Sequence, residues 1–214
     1  GVIAIGNNIL STGNTSTGNF LTGVIAIGND ISLHAQTSRN IIAIGEGAFQ
    51  NSMPYDSVAI GSGAGNRISG NADQLIYSTF VGVGAGKSIS GKTYLGTFVG
   101  YDAGASSKPG NDFPQNTAIG AAAFQLGSGA NNTAVGTTAL FSGYGDRNTA
   151  VGLASLKDVV GNYNTALGYT AGNDLTGDTN IAIGYRTAKD ATGDNNIAIG
   201  YLTLSGAKST GNIS

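Results

Sequence analysis

The chain has 214 residues, of which 36 are glycine; it carries a formal net charge of −2 and contains no cysteine and no tryptophan. Glycine is far above its usual share of about 7%, and it costs about 1 kcal/mol in a helix interior, so we expect no long helix. The near-neutral charge argues against nucleic-acid binding. No apolar run reaches the roughly 18 residues of a membrane-spanning helix, so we expect no membrane insertion in this segment.

The sequence is organised by a short phrase of the type N-T-A-I-G, which recurs along the whole chain and closes on a glycine. These closing glycines are Gly6, Gly28, Gly45, Gly61, Gly82, Gly100, Gly120, Gly136, Gly152, Gly168, Gly184 and Gly200. From Gly120 onward the spacing is 16 residues, whereas the earlier steps vary from 16 to 22. We therefore divide the chain into an irregular part, 1–115, and a regular part, 116–214, and expect a piece of a longer array.

Each repeat is predicted to form two short strands and two turns. Repeats such as 132–147 and 148–163 carry β-branched residues, which favour strands, and glycines, which supply the positive φ of tight turns. A helical-hairpin repeat would need more than about 30 residues. The prediction is an all-β fold, a parallel β-roll (β-solenoid) with about one 16-residue coil per repeat.

Alternation along each strand predicts which residues lie inside the coil. In Ile181-Ala182-Ile183-Gly184 the two isoleucines point one way, and the alanine and glycine point the other way. A strand that is apolar on both faces is covered on both sides. We expect the bulky Ile/Val/Leu face to fill the coil interior, and the Ala/Gly face to meet another chain or a facing strand.

The irregular part contains insertions, which are the best candidates for recognition. The longest are 7–23, 62–78 and 101–116, and a shorter irregularity includes 53–55. Loops on a rigid scaffold commonly carry binding residues, although tolerated decoration without a binding role is the alternative. The receptor-binding candidates are Tyr55, Gln74, Tyr77, Phe113 and Pro114.

Stacking of equal coils predicts columns of equal residues in the regular part. The asparagine column comprises Asn116, Asn132, Asn148, Asn164, Asn180, Asn196 and Asn212. Stacked amides satisfy side-chain and turn hydrogen bonds, so a structural role is expected. The tyrosine column comprises Tyr169, Tyr185 and Tyr201; we expect ring packing, with an aromatic strip for sugar binding as the alternative.

A further column contains Asp146, Asp178 and Asp194, with Asn162 between them. Turn formation is the expected role, and Ca²⁺ binding is the alternative, although the Gly-Gly-x-Gly-x-Asp repeat of calcium-binding β-rolls is absent. His34 is the one histidine, and no cysteine nucleophile or zinc-binding cluster exists. The sequence therefore predicts no catalytic residue, no metal and no cofactor.

Two stretches resemble known surface fibres. Residues 56–61, D-S-V-A-I-G, resemble the N-S-V-A-I-G motif of YadA-like heads in trimeric autotransporter adhesins. Residues 148–156 are similar to the N-T-A-x-G-x-x-A-L repeats of phage tail fibres and related bacterial surface fibres. These resemblances imply a left-handed parallel β-roll, a homotrimeric fibre, and a place on the virion surface or the bacterial cell surface.

The expected function is therefore non-enzymatic. We expect a structural shaft in a phage or injection-system tail fibre, whose loops attach to a glycan or protein receptor on a host cell. The head of a bacterial adhesin is the alternative. A polysaccharide depolymerase on a β-solenoid is a minor one, because the 12 acidic residues offer no obvious carboxylate pair.

Overall fold

The computed structural model describes residues 1–11, 22–33, 39–52, 54–68, 75–89, 93–107, 113–208 and 210–214. These residues form a parallel β-solenoid with about 16 residues in each regular coil, and strands, turns and bends account for all their regular structure. The predicted all-β solenoid is confirmed. Within the described ranges, no helix has the length and apolar character that crossing a bilayer requires.

The strands are short, and most coils contribute one to the main sheet. In chain order they are β1 (Val2–Ile5), β2 (Leu10–Ser11), β3 (Thr22–Ile27), β4 (Ser32–Leu33), β5 (Arg39–Ile44), β6 (Pro54–Tyr55), β7 (Val58–Ile60), β8 (Leu75–Ile76), β9 (Thr79–Val81), β10 (Thr93–Tyr94), β11 (Thr97–Val99), β12 (Phe113–Pro114), β13 (Thr117–Ile119), β14 (Thr133–Val135), β15 (Thr149–Val151), β16 (Thr165–Leu167), β17 (Ile181–Tyr185) and β18 (Ile197–Tyr201).

Twelve of these strands form the main sheet, in the order β1-β3-β5-β7-β9-β11-β13-β14-β15-β16-β17-β18. Every pair in it is parallel and in register, so that Ala118 lies beside Ala134 and Ala134 beside Ala150. The second strand of each coil is much shorter. It forms the sheets β12-β10-β8-β6 and β2-β4 in the irregular part, and in the regular part it shrinks to the single bridged residues Ser128, Tyr144, Val160, Thr176, Thr192 and Lys208.

The predicted assignment of the two strand faces was wrong. Ala134, Ala150, Ala166, Ala182 and Ala198 point inward and are completely buried. Their aliphatic neighbours point outward and are only partly covered, as the 37% exposure of Ile181 shows. A coil of this size is thin, and the turn opposite the strand already fills the interior with Phe124, Leu140, Leu156 and Leu175. The space left at the strand therefore fits a methyl group better than a branched side chain.

Large and small residues alternate between strand and turn inside several coils. Most strands carry an inward alanine, and the facing turn then often supplies a large residue such as Phe49 or Phe124. Two strands instead carry the inward rings of Phe80 and Phe98, which stack with centroids 5.5 Å apart, and their turns contain glycine at the corresponding position. In these coils the interior is filled from one side or from the other, whereas Ala182 and the facing Ala188 are both small and both buried.

The closing glycines are required by geometry. Their φ angles lie between 125° and 144°, a region that side chains rarely adopt. A Cβ on Gly152 would also lie within 3.0 Å of the carbonyl oxygen of Gly168 in the next coil. The chain therefore turns the corner after each strand with its backbone pressed against the backbone of the following coil.

We predict that Gly104→Ala is destabilising because of Phe98 and not because of the backbone. Gly104 has φ 65°, while Phe124 and Leu140 occupy the equivalent position with φ near 54°, so a side chain is tolerated there. However, a Cβ on Gly104 would lie within 3.0 Å of the Phe98 ring. Overpacking of this kind costs about 1–3 kcal/mol, which urea unfolding should detect.

The double mutant Phe98→Ala/Gly104→Ala provides the control. Phe98→Ala alone should cost about 3–5 kcal/mol through the cavity it leaves, but Gly104→Ala added to it should cost nothing further. Equal costs of Gly104→Ala in both backgrounds would contradict the proposed packing exchange.

Candidate functional site

A long apolar feature of the described surface is a column of aliphatic side chains on the outer face of the main sheet. We call it the outward aliphatic column; it contains the residue before each closing glycine. Its members are Ile5, Ile27, Ile44, Ile60, Val81, Val99, Ile119, Val135, Val151, Leu167, Ile183 and Ile199. Interior members such as Ile60, Ile119 and Leu167 remain 37–41% exposed. Contiguous exposed apolar patches of this kind mark interaction surfaces.

The outer face continues past the closing glycines into the tyrosine column. In β17 the side chains of Ile181, Ile183 and Tyr185 alternate outward with the inward Ala182. The Tyr169 and Tyr185 rings stack at 5.2 Å with planes 8° apart, and the Tyr185 and Tyr201 rings stack at 5.1 Å and 9°. Each of the three tyrosines is at least 39% exposed, so the stack packs against itself and still offers an aromatic edge to solvent.

The structure brings together two of the five predicted receptor-binding residues. The rings of Tyr55 and Tyr77 meet edge to face with centroids 6.5 Å apart. The guanidinium carbon of Arg39, which the sequence did not single out, lies 4.6 Å from the centroid of the Tyr55 ring. Tyr77 is 58% exposed. The result is a surface cluster of two aromatic rings and one cation.

The structure says less about the other three receptor-binding candidates, Gln74, Phe113 and Pro114. Gln74 lies outside the described residues. Phe113 and Pro114 form β12, which pairs in parallel with β10, and so they lie on the same short sheet as Tyr55.

The insertions enter the coils at equivalent places. Residues 62–68 and 101–107 form ordinary turns, with Ala64, Ile68, Ala103 and Ala105 buried, so the predicted insertion ranges were too long. Ile68, Ile89 and Ser107 are the last described residues before the gaps, and the short strands after the gaps pair with one another. The described ends of these insertions are therefore stacked along one corner of the solenoid.

The asparagine column is buried and hydrogen-bonded along the stack. Asn148 is 1% exposed; its Nδ2 donates to the carbonyl of Gly161 at 2.9 Å, and its Oδ1 accepts the backbone N–H of Asn164 at 2.9 Å. From Asn180 onward, Nδ2 donates instead to the Oδ1 of the preceding asparagine. Ser57 and Ser78 occupy the same position in the irregular part, and each hydroxyl accepts a backbone N–H from the next coil.

The Asp146/Asp178/Asp194 column forms similar links at a solvent-facing turn. The Oδ1 of Asp178 accepts the backbone N–H of Asn162 at 2.7 Å, and the Oδ1 of Asp194 accepts that of Asp178 at 2.8 Å. The Oδ1 of Asn162 accepts the backbone N–H of Asp146 in the same way. These carboxylates therefore hold the turns of successive coils together.

A second acidic column went unnoticed in the sequence. Asp158, Asp174 and Asp190 lie 16 residues apart at the end of three successive turns, and Lys157 and Lys189 form ion pairs with Asp158 and Asp190. Loss of water around its carboxyl, followed by the charges of Asp158 and Asp190, raises the pKa of Asp174 above its ordinary value of 3.8. The ionised form of the middle carboxylate is thus destabilised first by loss of water and then by its neighbours in the column.

The part of the chain that the structure describes contains no group of three or more His, Asp or Glu residues able to hold a metal ion. His34 lies outside that part. Comparisons with protein-family models, with curated proteins and with solved structures found no match for this chain.

We predict that Asn148→Ala is strongly destabilising and Asn148→Ser much less so. Alanine leaves the carbonyl of Gly161 and the N–H of Asn164 without their partner, and a buried unsatisfied group costs about 1–3 kcal/mol. Serine keeps an acceptor, as Ser57 and Ser78 do. Chemical denaturation of the three proteins measures the difference; equal stability of the alanine and serine variants would contradict this role for the amide.

We predict that Asp174→Asn stabilises the protein at neutral pH. Because the pKa of Asp174 is raised in the folded state, ionisation of Asp174 opposes folding at pH values above its folded pKa. The penalty disappears as the pH falls below the pKa that Asp174 has in the unfolded chain. The gain in melting temperature should be small, since Asp174 is exposed, and should vanish near pH 3. A gain that stays constant with pH would contradict this explanation.

Proposed function

We propose that this chain is a segment of a homotrimeric surface fibre, in which three left-handed β-rolls run side by side and bury their outward aliphatic columns against one another. The fibre is a non-enzymatic shaft of the tail-fibre kind, exposed on a virion or bacterial cell surface. Its task is to hold attachment sites away from the particle and to bind a receptor on a host cell.

The observation that carries this proposal is the unbroken outward aliphatic column. It has one member in each of twelve coils, and at about 4.8 Å per coil it runs for roughly 50 Å. A partner that covers it side chain by side chain must repeat with the same rise. Another copy of this chain, aligned in the same direction, meets that requirement without further assumptions, and the resemblance to trimeric fibres supports three copies.

The attachment role is supported by the corner where the insertions enter. Arg39, Tyr55 and Tyr77 cluster there, and aromatic rings and arginine are enriched in the energetically important parts of interfaces. The rigid stack of coils beneath them keeps the cluster in place, which reduces the entropy lost when a receptor binds.

We predict that the segment has about three times its chain mass of 21.3 kDa in solution, and that Val151→Asp reduces this to one chain mass. A carboxylate at the centre of an apolar interface is buried without a partner, which is strongly unfavourable. Light scattering measures the mass. Thr176→Asp, which places the same charge at an exposed position outside the main sheet, is the matched control and should remain trimeric.

Two results would contradict the proposed trimer. One is a wild-type segment that is monomeric at micromolar concentration. The other is a Val151→Asp variant that keeps the full wild-type mass.

A further inference from the structure

An open groove lies on the outer surface of the irregular part. It has a volume of about 240 Å³ and crosses the turns of successive coils. Its polar lining consists of Asp30, Glu46, Gln50, Ser62, Asn66 and Lys87. Pockets for drug-sized ligands measure about 300–1,000 Å³, so this groove suits a smaller ligand or one unit of a longer chain.

The groove exists because two side chains are missing from its floor. Gly47 and Gly63 line it and stand two residues after a closing glycine. Thr138 and Thr170 occupy the equivalent position in other coils, with φ of 52° and 50° against 65° at Gly63, so the backbone accepts a side chain there. A Cβ on Gly63 would meet no described atom within 4 Å. The glycines are therefore explained by neither the backbone nor the packing of the described residues.

The lining offers hydrogen-bond donors and acceptors side by side. The carboxylates of Asp30 and Glu46 accept, the ammonium of Lys87 donates, and the amides of Gln50 and Asn66 do both. Asn66 Nδ2 donates to Gln50 Oε1 at 3.2 Å. Asn66 Oδ1 is buried and has no hydrogen-bond partner among the described residues, so the amide Nδ2 and Gln50 are the groups of this pair that we assign to the lining.

We propose that this groove binds one neutral sugar unit of a surface polysaccharide. Vicinal hydroxyls donate and accept at neighbouring positions, which matches a lining of carboxylates, amides and one ammonium. Two carboxylates against one ammonium give the lining a net charge of −1, which disfavours sulfated or carboxylated sugars. The inference rests on the attachment role proposed above, but it does not require the trimer, because every lining residue belongs to one chain.

The test is an array of immobilised neutral and sulfated oligosaccharides, probed with the purified segment and its variants. The wild type should bind neutral oligosaccharides and not sulfated ones. Gly63→Thr places a side chain in the groove and should weaken binding by about tenfold or more. Glu46→Gln removes one charged acceptor and should weaken binding by a similar factor, as loss of a charged hydrogen bond implies. Gly206→Thr is the matched control, since Gly206 also has positive φ and a Cβ there would also meet no described atom within 4 Å; its binding should be unchanged.

The outcomes separate the groove from the fibre. Binding to none of the neutral sugars by a trimeric wild type would overturn the groove and leave the fibre proposal standing. Full binding by Gly63→Thr would likewise overturn it. If the wild type released reducing ends from an oligosaccharide and Glu46→Gln did not, the groove would be a hydrolytic site and the binding proposal would be overturned. A monomeric wild type whose binding is lost in Gly63→Thr would support the groove while contradicting the trimer.

Discussion

Parallel, in-register stacking of coils is the constraint on which the rest of the structure depends. The spacing between coils is about 4.8 Å, and at the corner after each strand the backbones approach so closely that a Cβ on Gly152 would collide with the Gly168 carbonyl. Glycine at this corner keeps the coils in register. Once the register is fixed, every residue lies beside its own counterpart in the next coil, and any interaction that is favourable once is repeated along the stack.

That repetition explains how a chain with few charges and thin coils is stabilised. The asparagine column turns a buried polar group, normally a cost, into a continuous series of hydrogen bonds. The same repetition is unfavourable when the repeated group is charged: the charges of Asp158 and Asp190 add to the loss of water that raises the pKa of Asp174. The lysines beside Asp158 and Asp190 offset part of that repulsion. Repetition also produces the outward aliphatic column, because an exposed apolar position recurs in each coil.

Much of this architecture could be predicted from the sequence, because period and spacing are properties of the chain alone. The 16-residue step gives the coil, and equal residues at that step give the asparagine and tyrosine columns. The face assignment failed for a physical reason. In Ile181-Ala182-Ile183 both faces are apolar, so alternation separates the two sets but does not say which is inside. The deciding quantity is the room left by Leu140, Leu156 and Leu175, which is a property of the folded coil.

The groove could not be predicted from the sequence for a different reason. Asp30, Glu46 and Lys87 come from separate coils of unequal length, so no fixed spacing connects them. Gly63 carried one signal, a glycine where most coils have a side chain, but Gly47 and Gly84 share it and a glycine-rich sequence hides it. Arg39 lies one 16-residue step before Tyr55, so the repeat places the two side by side, whereas Tyr77 follows Tyr55 only after 22 residues.

The central claim is that the outward aliphatic column is covered by other copies of the chain. The protein has no cysteine, so a single thiol can be placed at Val151 and, for reference, at the exposed Thr176. The most direct measurement is the rate at which a thiol reagent labels Val151→Cys in the folded protein, relative to Thr176→Cys. The account predicts that Val151→Cys is strongly protected and becomes reactive only on dilution to the monomer. Equally fast labelling of both thiols at high protein concentration would contradict it.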